Sequence, residues 1–214
     1  EAGITILSPD DQSARIRFSS PSTNTEVGGA SILYRQNINT LKVGTAVAGG
    51  VLKLVSGADV DGLKIDANGA VTKPLQPAFL VHPATAQNNI AANNSAVTVV
   101  FGTEVFDQNA DFASNTFTAP VTGKYQLNVN IYLLNLDSAS QYYYVRVNTS
   151  NRNYDSIITT NRFSGDPAYI TLSGAVLADM DASDTALVNV VQQGGTAQTD
   201  IAAAGTYFSG YLVA

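Results

Sequence analysis

Eight consecutive residues constrain this chain more than any others. From Tyr125 to Tyr132, the side chains Tyr125, Leu127, Val129 and Ile131 alternate with Gln126, Asn128, Asn130 and Tyr132. A period of two is the mark of an extended strand with one buried face. Just upstream, Thr116, Phe117 and Thr118 are strand formers, Pro120 stops them, and Val121-Thr122-Gly123 supplies a turn. Asn115–Tyr132 therefore reads as strand, turn and strand, and the second strand is expected at the centre of the core.

The rest of the chain repeats this grammar in shorter pieces. Ile4–Leu7 is strand-like and Ser8–Asp11 is a turn. Ala14, Ile16 and Phe18 alternate with Arg15 and Arg17, Ser19–Asn24 is a loop, and Val27–Ala30 leads into Ile32-Leu33-Tyr34. Leu41–Val43, Val51–Val55 and Leu63–Ile65 follow, separated by glycines. Asp66-Ala67-Asn68-Gly69 is a hairpin signal, with Asn68 and Gly69 suited to positive φ. Large core residues are scarce before Phe79. Residues 1–77 are therefore expected to bury themselves against copies of themselves, as an intertwined trimeric β shaft. A small independent β domain or a partly ordered linker is the alternative.

The prolines of Lys73-Pro74-Leu75-Gln76-Pro77 hold the backbone extended and mark a boundary. Beyond it, residues 78–214 carry longer strands. Phe79–Val81 opens them, Ala84–Ser95 is a loop with a short strand, and Val97–Phe106 is a strand interrupted at Gly102. Asp107–Ser114 is a loop. Gln141–Val147, Asp155–Thr160, Ala168–Leu177, Ala186–Val191 and Thr206–Val213 complete the set. Many short strands, regular turn signals and no helical periodicity predict an all-β sandwich or jelly roll.

Charge limits the partners. Residues 1–79 carry seven basic and seven acidic side chains, whereas residues 80–214 carry four and ten. An acidic second half argues against nucleic acid or an anionic membrane as partner. No apolar run is long enough to cross a bilayer. With no cysteine there are no disulfides and no thiolate chemistry, so burial and oligomerisation are the expected sources of stability. The chain starts at Glu1, without Met or a signal peptide, and is expected to be a fragment whose missing part lies upstream.

Three separated motifs now bear on the fold. Phe117-Thr118-Ala119-Pro120 precedes Gly123-x-Tyr125-x-Leu127, Leu177 precedes Asp184 and the strand from Ala186, and Phe208-Ser209-Gly210-Tyr211-Leu212 closes the chain. Together they resemble the complement C1q and tumour-necrosis-factor jelly-roll superfamily. Leu127 and Val129 stand where that family has aromatics, and Ser183 stands where it has Gly. Leu63–Phe79 is in turn similar to segments that precede a C-terminal knob in bacteriophage tail-fibre and other virion fibre proteins. These resemblances imply a C1q/TNF-like jelly-roll knob on a short-stranded shaft. They imply a homotrimer on the extracellular face of a virion, as a tail or head fibre joined to other virion proteins upstream. The knob would attach to a host cell-surface glycan or protein. A structural head-fibre or capsid decoration protein without specific receptor is the first alternative, and a polysaccharide-degrading enzyme the second.

Reactive groups are sparse. The single histidine, His82, is read as structural, and no phosphate loop or dinucleotide fingerprint occurs. Nothing pairs two carboxylates for glycoside cleavage, so the chain is not expected to be an enzyme or to hold a cofactor. Asp179, Asp181 and Asp184 are the calcium candidates, against the reading of a solvated loop. Tyr142-Tyr143-Tyr144 must place aromatics on both faces of one strand, and the outer ones need cover or a ligand. The resemblance implies trimer contacts at Gln126, Asn128, Asn130, Tyr132, Tyr207 and Tyr211. Receptor specificity is sought in the loops Asp107–Ser114, Leu134–Ser140, Asn148–Tyr154 and Gln192–Asp200.

Overall fold

The computed structural model describes residues 3–19 and 29–214. The predicted loop Ser19–Asn24, apart from Ser19, and the start of Val27–Ala30 fall outside them. The chain divides into two compact units, residues 1–75 and 76–214.

The first unit holds two separate antiparallel sheets. One is formed by β1 (Ser13–Phe18), β2 (Ala30–Arg35) and β3 (Thr40–Thr45). The other is formed by β4 (Leu52–Ser56), β5 (Val60–Ile65) and β6 (Val71–Thr72). Ile4–Leu7 joins neither, because a strand-forming sequence without a partner has no ladder to enter. In the turn before β6 only Gly69 has positive φ, at 86°. The Asp66 carboxylate does the rest, accepting the N–H groups of Asn68 and Ala70 at 2.8 and 2.9 Å.

The second unit runs β7 (Ala78–His82), β8 (Val97–Thr98), β9 (Thr103–Asp107), β10 (Phe112–Ala113), β11 (Thr116–Thr118), β12 (Gly123–Leu134), β13 (Tyr142–Thr149), β14 (Asn153–Thr159), β15 (Tyr169–Met180), β16 (Thr185–Gln193), β17 (Asp200–Ile201) and β18 (Tyr207–Leu212). One sheet has the order β15-β12-β18-β7-β9, with β17 beside β12. The other has the order β10-β11-β16-β13-β14, with β8 beside β16. The two face each other as an all-β jelly-roll sandwich.

Four sequence expectations change. Thr116–Thr118 and the strand after it are not hairpin partners. β11 pairs with β10 and β16 in one sheet, while β12 lies in the other. Pro120 has no N–H to give a ladder, and Ala119 bonds the Asp184 carbonyl, so the chain leaves one sheet here and enters the next. The loop Asp107–Ser114 contains β10, because Phe112 pairs opposite Phe117. Val97–Phe106 is split into β8 and β9 around residues 99–102 rather than only kinked. Asp179 belongs to β15, which extends to Met180, rather than to the loop after it.

The core follows from the alternation. Tyr125, Leu127, Val129, Ile131 and Leu133 are all buried, each contributing about 2 kcal/mol of transfer free energy. Asn135, at a φ of 55°, ends the strand. Phe79 stacks on Phe117 and Phe112 at 4.8 and 5.2 Å and meets Phe208 edge-on at 5.1 Å. Gly210 is required by this cluster, since a Cβ there would lie 2.7 Å from both Phe79 and Leu127.

Candidate functional site

The alternation that buries one face of β12 leaves the other outside, and pairing builds it into a surface. Gln126 lies opposite Tyr211 on β18 and Leu177 on β15. Asn128 lies opposite Ser209 and Ala175, and Asn130 opposite Tyr207 and Ser173. The structure thus brings Gln126, Asn128, Asn130, Tyr132, Tyr207 and Tyr211 onto one face of one sheet. From the Gln126 row to the Tyr132 row, no side chain on β15, β12 or β18 is charged. Charge enters at the two ends, where Lys124 lies opposite Asp179 and where Leu134 lies opposite Asp200 of β17. Leu177 and Tyr211 are 52 % and 49 % exposed, and Tyr207 is 40 % exposed. The amides between them are oriented: Gln126 donates to Asn128 at 3.1 Å, and Asn130 accepts from Ser173.

The loops fall at two ends. The chain arrives at the proximal end through Pro77 and β7. Asp107–Ser114 and Asn148–Tyr154 lie there, since Asp107 pairs with Phe79 and Thr149 with Ala186. Leu134–Ser140 and Gln192–Asp200 lie together at the distal end, because Tyr142 pairs with Gln193 and Leu134 with Asp200.

A buried polar network, which no motif announces, joins the two distal loops. Asp137 is 2 % exposed. Its Oδ1 accepts from the Ala139 N–H at 2.7 Å, and its Oδ2 accepts from the N–H groups of Thr196 and Ala197. Burial pushes this carboxyl up, but the N–H groups of Ala197, Ala139 and Thr196 outweigh it and hold the carboxyl below its ordinary range. Tyr143 Oη accepts from the Asp137 N–H at 2.8 Å, and burial pushes that hydroxyl up. Gln192, fully buried, donates to Ser140 and the Ala197 carbonyl and accepts from Thr199. The one sequence signal is Gln192 itself, an amide that directly follows the apolar run of β16.

The acidic segment sits at the proximal end, and the carboxylates of Asp179 and Asp184 are engaged by neighbouring groups. Asp179 pairs with Arg152 at 3.1 Å. Asp184 accepts from the Asp181 N–H and from Asn151, both at 2.8 Å. Among the described residues no three His, Cys, Asp or Glu side chains gather into a metal-binding group. The outer tyrosines of β13 cover one another: Tyr142 stacks on Tyr144 at 6.1 Å, and Arg146 lies 4.8 Å over Tyr144. Asp155 holds Arg146 in place through paired bonds of 2.6 and 2.8 Å, which lower the Asp155 pKa. His82 Nδ1 donates to the Pro83 carbonyl at 3.0 Å.

A family model described as the C1q domain matches residues 78–213. None of the curated proteins matches the chain. Among solved structures, the globular domain of zebrafish complement 1qA protein is similar at 16 % identity, over 65 % of this chain and 98 % of that one, with a TM-score of 0.46. Murine APRIL is similar at 12 % identity, over 64 % and 99 %, with a TM-score of 0.47. The Eiger TNF of S. frugiperda is similar at 11 % identity, over 65 % and 92 %, with a TM-score of 0.45.

Proposed function

We propose a function from the premise that this chain belongs, through residues 78–213, to the C1q domain family: a homotrimeric receptor-binding knob of a bacteriophage virion fibre, which attaches the particle to a host cell-surface glycan or protein. The observation that carries the assembly is the uncharged outer face of β15, β12 and β18. Interface cores are depleted of charge and enriched in tyrosine, with oriented hydrogen-bonding groups between the apolar patches. Tyr207, Tyr211 and Leu177 amid Asn and Gln have that composition, and a water-exposed sheet face of this kind otherwise carries Lys and Glu.

The distal loops are the favoured receptor site because they lie at the end remote from the arriving chain and are held rigid by Asp137 and Gln192. A preformed loop surface loses little ordering entropy on binding. Three copies on one assembly gain further through effective concentration. The fibre setting is supported by the similarity of Leu63–Phe79 to virion fibre segments.

Sedimentation at micromolar concentration is expected to give a trimer, and a monomer there sinks the proposal. Tyr211→Cys is expected to react with a thiol reagent at least about tenfold slower than Ile157→Cys, an exposed position on the other sheet. Equal rates would mean that the face is open. Labelled trimer is expected to bind cells that the virus adsorbs to, with binding reduced by substitutions at Ser138 or Gln198. Failure to bind such cells removes the attachment role.

A further inference from the structure

The N-terminal unit has an unusual property: none of its described residues up to Leu75 is buried. Its composition does not explain this, because its strands are amphipathic. In the β1-β2-β3 sheet, Ile16, Ile32 and Val43 lie side by side in one cross-strand row. Tyr34 and Leu41 pair in the row beside it, and Phe18 lies in the row on the other side. All six project from one face, and all are exposed, Leu41 by 63 % and Phe18 by 59 %. The reverse face carries Arg15, Arg17, Arg35 and Lys42, with no acidic side chain among the three strands. A sheet hydrophobic on one face must bury that face against something.

We infer that the apolar face of the β1-β2-β3 sheet is an assembly interface covered by the same face of other copies of this chain, so that the N-terminal unit gains its core only on association. Area favours this occupant. Six partly exposed side chains at about 100 Å² each give roughly 600 Å² per copy, the upper limit of patches on monomers and close to one side of a standard interface. Charge favours it as well. The apolar face carries no charged group, so identical faces meet without opposing like charges. The basic reverse face would repel a copy and stays in water. The inference is independent of the trimer face on β12, which lies in the other unit.

The natural chain has no cysteine, so a single introduced cysteine can form a disulfide only between copies. Full-length chains carrying Ile16→Cys, Ile32→Cys or Val43→Cys sample the front of one row, and Arg15→Cys, Leu33→Cys or Lys42→Cys sample the reverse face. Under mild oxidation, at least one front variant is expected to cross-link roughly tenfold faster than all reverse variants, because the interface raises the local thiol concentration. In the reduced state the front thiols are expected to be protected from a maleimide and the reverse thiols to react freely. Front thiols that react as fast as reverse ones, without cross-linking, would leave the face uncovered and overturn the inference. Protected front thiols that never cross-link at any front position would assign the cover to the chain's own second unit and overturn it too. Neither result bears on thiol protection at Tyr211→Cys, so the two interfaces fail separately.

Discussion

Replacing Asp137 tests the distal network directly. Its two oxygens accept three backbone N–H groups, those of Ala139, Thr196 and Ala197, while the carboxylate itself is almost fully buried. Asp137→Ala leaves all three donors without their acceptor. An unpaired buried donor costs about 1–3 kcal/mol, and water can reach some of them once the side chain is gone, so a total loss of about 3–5 kcal/mol is expected. Asp137→Asn keeps the shape but can present only one oxygen. Its NH₂ must face at least one N–H, and the charge that strengthens the other bonds is lost, for about 2 kcal/mol. The pH dependence identifies the charge as the cause. The folded-state pKa of Asp137 is lowered, so the carboxylate contributes stability above its ordinary value of about 4. That contribution is lost as pH falls through the lower folded value. The difference between parent and Asp137→Asn should therefore be full at pH 7 and shrink on acidification below about pH 4. Urea unfolding at one fixed protein concentration measures it, because assembly makes stability concentration-dependent. A difference below about 0.5 kcal/mol at pH 7, or one that does not change with acidification, would refute the reasoning.

Other substitutions probe backbone geometry and the acidic segment. Ser183 is exposed and has a φ of 77° in the turn before β16, so Ser183→Gly should stabilise the second unit by about 1 kcal/mol in the same unfolding assay. Gly195→Ala should do the reverse: its φ is 109°, and a Cβ would lie 2.5 Å from both Asp137 Oδ2 and Ser140 Oγ, so a loss of at least about 2 kcal/mol is expected, reduced but not abolished in an Asp137→Ala background, where the φ strain and the Ser140 contact remain. Because Arg152 and Asn151 already partner Asp179 and Asp184, thermal unfolding in excess calcium and in a chelator should agree within about 1 °C. A larger rise with calcium would establish a site in this segment.

Much of the second unit was legible because its signals are local. The period of two in β12 is written in consecutive residues, and it correctly separates Tyr125, Leu127, Val129 and Ile131 from the outward Gln126, Asn128, Asn130 and Tyr132. The same holds for Tyr143 against Tyr142 and Tyr144. Turns were less legible. Asp66 directs its turn through its carboxylate rather than through positive φ at Asn68, and Ser183 adopts a conformation that favours glycine. In both places hydrogen bonding and tertiary restraint outweigh intrinsic preference.

The sequence by itself determined the class: strands of period two, broken by Gly, Pro and Asn, with one face of each made for burial. Only the tertiary structure decided which strands share a sheet. Pro120 marks the end of β11 but cannot say that the next strand crosses to the opposite sheet, because ladder partners are chosen by residues far away in the chain. It likewise decided that Asp137 and Gln192, more than fifty positions apart, meet as one network, and that Gln126, Tyr207, Tyr211 and Leu177 meet as one surface. Burial can be read from a single strand's pattern, whereas a site is a coincidence of several strands, and register exists only after they pair.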